Sequence, residues 1–460
     1  MIYPDNFEEK IGFHRIREQV EKLCSTCSAV EKLRNERFSS VADEVEQRLS
    51  LMDELRSLLM LERDFPDEDY PDLGVLVSKI RIEGSYLLVA EVATLRHALQ
   101  AVAAVVSFVV GRGERLYPHL WNLSRRVTLF PEIEQAIERI LNEHDEVRDN
   151  ASEELYAVRR AIREREGQAS KRLQQVLQRA KQSGIVDSDA VLSVRDGRPV
   201  IPVSAVNKRK LQGFIHDESA TGRTFYIEPV EVVEINNELK ELEYAERREV
   251  IKVLSAFTDF IRPDVELIAN AGDYLSTIDM IRAKARWALA NDATRPIVSL
   301  DDRLVLRNAR HPLLQQTLRQ QGREVVPLDL QLDRDKHILV ISGPNAGGKS
   351  VCLKTTGLIQ YMFQCGYPVP VAESSELPLF RSLFIDIGDE QSIDDDLSTY
   401  SSHLRNMKNM LAGASERTLV LIDEFGSGTE PTIGGAIAEA ILERLLERGC
   451  YGVITTHYAN

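Results

Sequence analysis

The sequence predicts a multidomain protein: an all-α core, a long antiparallel helical arm carrying a small β module, and then an α/β domain. Three observations carry this prediction. Apolar residues recur at steps of three and four over most of the first 290 positions, the rhythm of amphipathic helices. The rhythm breaks into short strand-like runs between about 187 and 229. Beyond about residue 290, short β-rich runs alternate with helical stretches, as in a sheet covered on both faces. The expected boundaries are therefore a helical core over 1–130, an arm over 131–290 with its β insertion at 187–229, and an α/β domain over 291–460. At about 150 residues per domain, the length suits three such regions.

The core comes first. Phe13, Ile16, Val20 and Leu23 fall on one helical face, as do Val41, Val45, Leu49, Met52, Leu55 and Leu59. Phe7-Glu8-Glu9 has the Phe-x-Glu spacing of a base-stacking wedge, but no domain surrounds it, and it reads as plain helix. The five cysteines are an odd number and too sparse for a disulfide framework. Cys24 and Cys27 have C-x-x-C spacing without a second pair or a histidine cluster nearby, so they read as ordinary helix or loop residues.

The arm follows. Leu155, Val158, Ile162, Ala169, Leu173, Val176 and Ala180 keep helical spacing from Ser152 to Ser183 with no proline. Such a helix is about 48 Å long at 1.5 Å per residue. Val232, Ile235, Leu239 and Leu242 keep the same rhythm from Val230, and Pro263 ends it after Ile261. Matching stripes on two long helices predict an antiparallel pair. Between them, Ala190–Arg195, Asp196-Gly197 and Arg198–Val203 read as strand, turn, strand, with Pro199 and Pro202 placing the second strand at an edge. Gly213–His216 and Thr224–Ile227 read as two further strands. Arg195, Arg198, Lys208, Arg209, Lys210 and Arg223 outnumber the acids of this tip, which makes them candidate nucleic-acid contacts, or else a solvated loop. The whole chain, with 57 basic and 72 acidic residues and a net charge of −15, is not held on nucleic acid by bulk charge.

The α/β region carries the chemistry. Gly343-Pro344-Asn345-Ala346-Gly347-Gly348-Lys349-Ser350 matches G-x-x-x-x-G-K-[ST], follows the apolar run Ile338–Ile341 and opens a helix, so these eight residues with Val351 are the candidate cofactor-binding residues. Glycines let the backbone wrap phosphate, and the helix adds its positive end. Lys349 suits the β- and γ-phosphates of ATP, and the Ser350 hydroxyl suits Mg2+. Thr418–Ile422 is an apolar strand ending in Asp423 and Glu424. Beside a phosphate loop these acids suit metal binding and activation of water, respectively. Ser398 precedes a helical run, Ser401–Leu411, as a helix cap or a γ-phosphate contact. His457 ends the strand-like run Gly452–Thr455, as a strand-end residue or a γ-phosphate sensor.

Taken together, Gly-Pro-Asn-x-Gly-Gly-Lys, Asp423 to Thr429 (Asp-Glu-x-Gly-x-Gly-Thr), Ser398-Thr399-Tyr400 and Thr455-Thr456-His457-Tyr458 resemble the MutS family of ABC-type ATPases. Asn308-Ala-Arg310-His311-Pro312 is similar to that family's entry into its ATPase domain. The stretch from His216-Asp217-Glu218 through Phe225-Tyr226-Ile227-Glu228-Pro229 to Asn236-Asn237-Glu238-Leu239 resembles the endonuclease MutS-two branch. The resemblance implies an ABC-type P-loop ATPase over 291–460, with ATP and Mg2+ as cofactors. It implies that Glu424 and His457 are catalytic, and that Ser398 acts in trans across a homodimer joined through the ATPase domains. It also implies branched DNA or a collided ribosome as the partner, with a structural dimer as a third reading. An aromatic that stacks on adenine in mismatch-repair relatives corresponds to Val325, which departs from the pattern. The chain stops at Asn460, soon after Thr-Thr-His-Tyr. Against the family layout, the end of the ATPase domain and the nuclease-type Smr tail are expected to lie outside it, and the separate mismatch-binding and connector domains of mismatch-repair MutS are expected to be absent, since the chain begins directly in the core helices. No membrane partner is expected, because the apolar run Ala101–Val110 is far shorter than the ~18 residues of a span. The start of the chain has neither a basic nor an apolar leader region, so the expected location is the cytoplasm.

Overall fold

A computed structural model describes residues 1–195, 197–343, 348–387, 399–426 and 430–457. In chain order the first elements are β1 (Ile2–Tyr3), α1 (Phe7–Ile11), α2 (Phe13–Glu21), α3 (Cys27–Asn35), α4 (Ala42–Leu61), α5 (Gly74–Ile80), α6 (Val89–Arg112), α7 (Pro118–Ser124) and α8 (Pro131–Ile140). The arm is α9 (Glu153–Gln182), β2 (Ser193–Arg195), β3 (Arg198–Ser204), β4 (Gly213–Glu218), β5 (Thr224–Pro229) and α10 (Val230–Ile261). Then come α11 (Val265–Ala290), β6 (Ile297–Val298), β7 (Leu304–Ala309), α12 (Pro312–Gln320), β8 (Leu328–Leu332), β9 (Ile338–Ser342) and α13 (Lys349–Gln364). The chain closes with β10 (Glu376–Leu377), β11 (Ser382–Asp386), α14 (Thr399–Gly413), β12 (Thr418–Ile422), α15 (Pro431–Glu447) and β13 (Tyr451–Thr456).

Contacts gather the chain into two compact units. One comprises Met1–Asp72, Gln100–Leu129 and Asn270–Asn460, and the other comprises Leu73–Leu99 and Phe130–Ala269. The grouping changes between Leu129 and Phe130 and again between Ala269 and Asn270, and the segment Asn270–Asn460 runs across position 290.

The first unit is organised by a parallel sheet in the order β1-β11-β12-β13-β9. Its three central strands are buried along their whole length, which is why they read as continuous apolar runs. On one face Phe384, Val420, Ile422 and Ile454 pack with Met407 and Met410 of α14 and Ala438 and Leu445 of α15. On the other face α13 comes close: a Cβ added at Gly357 would lie 2.6 Å from a methyl of Leu421, so only glycine fits there. The N-terminal helices belong to the same core. Phe7 and Phe13, both fully buried, pack on Tyr361 of α13 with ring centroids 5.3 and 5.0 Å apart. Phe7 is therefore a core side chain and not a wedge. In α4 the buried stripe is Val45, Leu49, Met52, Leu55 and Leu58; Val41 precedes the helix and is 58% exposed. A second sheet, β6-β10-β7-β8, completes this unit.

The second unit contains the arm. Salt bridges Arg179–Glu231, Arg165–Glu238 and Arg159–Glu246 run in opposite sequence directions along α9 and α10, which fixes the pair as antiparallel. Thirty residues give α9 a length of about 45 Å. The Ser152 side chain caps α9 by accepting from the Leu155 amide. At the tip, an antiparallel sheet in the order β2-β3-β5-β4 shares a core with α9 and α10, built from Leu173, Val176, Ile201, Val203, Ile227 and Val232. The strand with two prolines is thus internal, not at an edge. The reason lies in its two ladders: β3 pairs with β2 over Arg198–Val200 and with β5 over Ile201–Ser204. Each half of β3 has a ladder on one side only, so Pro199 and Pro202 need not donate on the other.

The apolar run at 101–110 lies inside α6, 24 residues long. By length and composition α6 could cross a membrane, but 56% of its most apolar window is buried inside the protein, the pattern of a core helix.

Candidate nucleotide site

The carboxyl ends of the parallel strands gather the residues singled out from sequence, as open α/β sheets do. Ser342 ends β9 opposite Thr456 of β13, and Ile422 ends β12 opposite Ile454. The loop after β9 returns through Gly348, whose φ of +79° is left-handed, and α13 starts at Lys349 with no side chain capping it. Lys349 is 5% exposed. Its Nζ donates to the Gly343 carbonyl and to the Thr456 carbonyl at 3.3 Å, and lies 3.5 Å from His457 Nδ1. Ser350 and Val351 are exposed in the first turn of α13. Pro344, Asn345, Ala346 and Gly347 lie outside the described residues, as does Ser398.

Thr455 builds the acidic turn. Its hydroxyl donates to the Asp423 carboxylate and accepts from the Glu424 amide at 2.9 Å, while its carbonyl accepts from the Phe425 amide at 2.8 Å. Glu424 sits at φ +50°, a left-handed conformation that costs a non-glycine residue ~1–3 kcal/mol and persists where surrounding bonds dictate it. His457 Nε2 lies 3.5 Å from Glu424 Oε1, so this imidazole stands between Lys349 and Glu424. Lys349, Asp423, Glu424 and His457 are thereby brought to one place.

The fit to a triphosphate and its cation can be tested on these groups. A buried ammonium is costly unless an anion accompanies it. Among the described residues no carboxylate pairs with Lys349; its partners are two carbonyls and an imidazole. An uncapped helix start beside it adds further preference for an anion. The Ser350 hydroxyl and the Asp423 carboxylate are oxygen donors of the kind Mg2+ takes, one or two from protein beside those of phosphate and water. The residues present fit the group.

Sequence reasoning missed Asp386 and His403. Asp386 ends β11, is 1% exposed, and accepts from His403 Nδ1 at 2.7 Å and Asn406 Nδ2 at 2.9 Å. An acid at a strand end was the only local signal, because the pairing depends on where α14 crosses the sheet.

The basic residues of the tip divide. Arg198 donates to both oxygens of buried Glu228, and Arg195 pairs with Asp217 while lying 3.9 Å over the Tyr226 ring. Lys208 lies 4.3 Å over Phe225. Arg209, Lys210 and Arg223 are exposed, with no ion pair among the described residues. In the other unit, burial pushes the Cys24 thiol up to about 12, and it donates to the Val20 carbonyl, so it is neither a ready nucleophile nor a ready ligand.

Residues 339–460 match the family model for MutS domain V. The chain is 37% identical over 450 residues to an endonuclease MutS2 of Geobacillus sp. (strain WCH70), covering 97% of this chain and 56% of the relative. It is 40% identical over 410 residues to that of Gemmatimonas aurantiaca (88% and 49%), and 35% identical over 450 residues to that of Pelotomaculum thermopropionicum (98% and 56%). The chain spans about half the length of the curated relatives it matches. With the strand-end cluster, the arm and these matches over nearly the whole sequence, the chain belongs to the MutS2 family.

Proposed function

We propose that this chain is the nucleotide-operated part of an ATP hydrolase that works as a homodimeric clamp on branched DNA. The observation that carries the reading is the buried Lys349 ammonium, at a bare helix start, with no carboxylate of its own among the described residues. When bound, Mg2+–ATP supplies a cleavable phosphoanhydride and a cation that draws charge from it. In this reading Lys349 holds the β- and γ-phosphates, within the loop from Gly343 through Pro344, Asn345, Ala346 and Gly347 to Gly348. Ser350 and Asp423 give oxygens to the cation. Glu424 takes the proton of the attacking water. His457, 3.5 Å from both Lys349 and Glu424, ties the occupancy of the phosphate site to the base. Ser398 acts in trans on the nucleotide of the second copy, which makes hydrolysis depend on pairing. The arm, with Arg209, Lys210 and Arg223 turned outward at its tip, is the element that meets phosphate backbone. The names of the relatives, endonuclease MutS2, agree with a nucleic-acid partner.

The experiment is equilibrium binding of a fluorescent nonhydrolysable ATP analogue to the full natural polypeptide. Removing a charge-assisted contact worth ~1.5–3 kcal/mol should make Lys349→Ala roughly 10- to 100-fold weaker. Glu424→Gln should keep wild-type affinity and lose at least about 100-fold in hydrolysis. Equal affinity in Lys349→Ala and wild type would remove the basis of the reading.

A further inference from the structure

One face of the arm tip carries flat groups that the reading above does not use. Ile201, Val203, Phe225 and Ile227 turn the other face of the tip sheet toward the core it shares with α9 and α10. Side chains alternate along a strand, so Tyr226 and Asp217, which stand opposite each other on β5 and β4, belong to the outward face. Phe214, opposite Glu228, lies on that face as well. It is 59% exposed. A Cβ added at Gly213 would lie 2.2 Å from the Glu228 carbonyl oxygen, so glycine is what lets β4 begin this close to β5, with Phe214 as its next residue. The Arg195 guanidinium lies 3.9 Å over the Tyr226 ring, and three bonds hold it there. Its Nε pairs with Asp217 at 2.9 Å, and its Nη1 donates to Ser193 Oγ at 3.1 Å and to the Val194 carbonyl at 2.9 Å. Exposed cations bracket this face. Arg209 and Lys210 lead into β4, and Arg223 leads into β5. Because Gly213 stands beside Pro229 and Glu218 beside Phe225, the two sets lie toward opposite ends of the hairpin, whose strands are about 20 Å long. Of the two acids on β4, Asp217 is paired with Arg195, and Glu218 shares the core-side face with Phe225.

We propose that this face stacks on the unpaired bases of branched DNA, with Phe214 and the Arg195–Tyr226 pair as its two stacking surfaces. The proposal rests on the reading of the arm as the element that meets DNA, and it names the feature of the DNA that the tip selects. Aromatic rings and guanidinium planes bind the faces of nucleobases. In a duplex those faces are covered by the neighbouring base pairs, so only bases freed from the stack, as in the single-stranded arm of a fork, are within reach. A phosphate backbone running along the hairpin meets a cation toward each end, which is the charge complement such a strand requires. Stacking tolerates any base, so the face reads strand structure and not sequence.

The test uses the full natural polypeptide and two DNAs at several salt concentrations: a fork whose single-stranded arm carries a fluorescent adenine analogue, and a blunt linear duplex of the same sequence. Wild type should prefer the fork and quench the analogue. Phe214→Ala should bind the fork roughly 5- to 100-fold more weakly, with the quenching lost, and bind the duplex within about twofold of wild type. Phe214→Trp should keep wild-type binding of the fork, whereas Phe214→Leu, equally apolar but without a ring, should behave like Phe214→Ala. Lys210→Ala should weaken both DNAs alike and lower the salt slope by about 1. Wild-type fork binding in Phe214→Ala, equal losses on both DNAs, full rescue by Phe214→Leu, or a loss accompanied by faster amide exchange at Ile201 and Ile227 would each overturn the proposal. So would an RNA fork of the same sequence bound more tightly than the DNA. DNA binding by the arm survives any of these results. A wild-type protein that binds neither DNA removes the clamp reading itself, and the proposal with it.

Discussion

Glu228 is the keystone of the arm tip, and its replacement has a magnitude that can be worked out. The carboxylate is 1% exposed. Oε1 accepts from Arg198 Nη1 at 3.0 Å and Asn236 Nδ2 at 2.6 Å; Oε2 accepts from Arg198 Nη1 at 2.9 Å and His216 Nε2 at 2.6 Å. Glu228→Gln keeps the shape but turns one acceptor into a donor. The best arrangement gives the new NH2 to His216, which can accept in its other tautomer, and keeps the oxygen for Asn236. The change then amounts to about one charge-assisted bond to Arg198, about 2 kcal/mol, because that side chain is 22% exposed and water recovers part of the loss. Glu228→Ala strands a mostly buried guanidinium and should cost about 3–5 kcal/mol. Both tryptophans, Trp121 and Trp287, lie in the other unit, so their fluorescence does not report on the tip. Amide hydrogen exchange at Ile201, Val203 and Ile227 does. Exchange there should accelerate about 30-fold in Glu228→Gln and by more than 100-fold in Glu228→Ala. Rates within twofold of wild type in both variants would show that the tip does not rest on this carboxylate. The pH dependence has a definite sign. Burial pushes the Glu228 carboxyl up, but hydrogen bonds from Asn236, His216 and Arg198, with the Arg198 charge, outweigh it and hold the group below its usual value of 4.5. Its contribution is fully present above pH 4.5 and is lost as the pH falls through the lowered folded value.

Two further outcomes are expected. Burial pushes His311 down to about 4, with the Lys354 charge acting in the same direction, and its Nδ1 has no hydrogen-bond partner among the described residues. The unfolded chain therefore binds the extra proton first, and stability should fall as the pH drops from about 6.5 to about 4, by up to about 3 kcal/mol, in urea titrations where a His311→Gln variant stays flat. Tyr3→Phe removes the hydroxyl that joins β1 to Asn406 and Asn409 and should lower stability by about 1–2 kcal/mol, read as a shift in urea midpoint without a change in slope.

The sequence was legible where structure is local. The arm helices begin and end within a residue or two of the positions that spacing, Ser152 and Pro263 marked, and Thr418–Ile422 is β12 residue for residue. Glu424, Lys349 and His457 were named because a strand, a turn and a helix write their signatures into neighbouring positions. Legibility failed where a partner lies far along the chain. β1 is two residues long and pairs with residues 383–384, which no window around Tyr3 contains. Asp386 and His403 meet only because α14 crosses back over β11. Arg198 looked like a phosphate ligand because its partner, Glu228, is thirty positions away on another strand. Val41 fitted the helical rhythm but precedes the helix.

That two-residue strand has a practical consequence. Met1 hands its ammonium to the Arg381 carbonyl, Tyr3 lies beside Phe384, and Gln364 exchanges backbone and side-chain bonds with Ser39. A separately expressed piece covering residues 291–460 would leave the outer rim of β11 unprotected and Tyr361 without its aromatic neighbours Phe7, Phe13 and Phe38. Bare rims of this kind recruit other chains. Anyone dissecting the protein should carry the opening forty residues along with the nucleotide-binding portion, or expect precipitate instead of a working half.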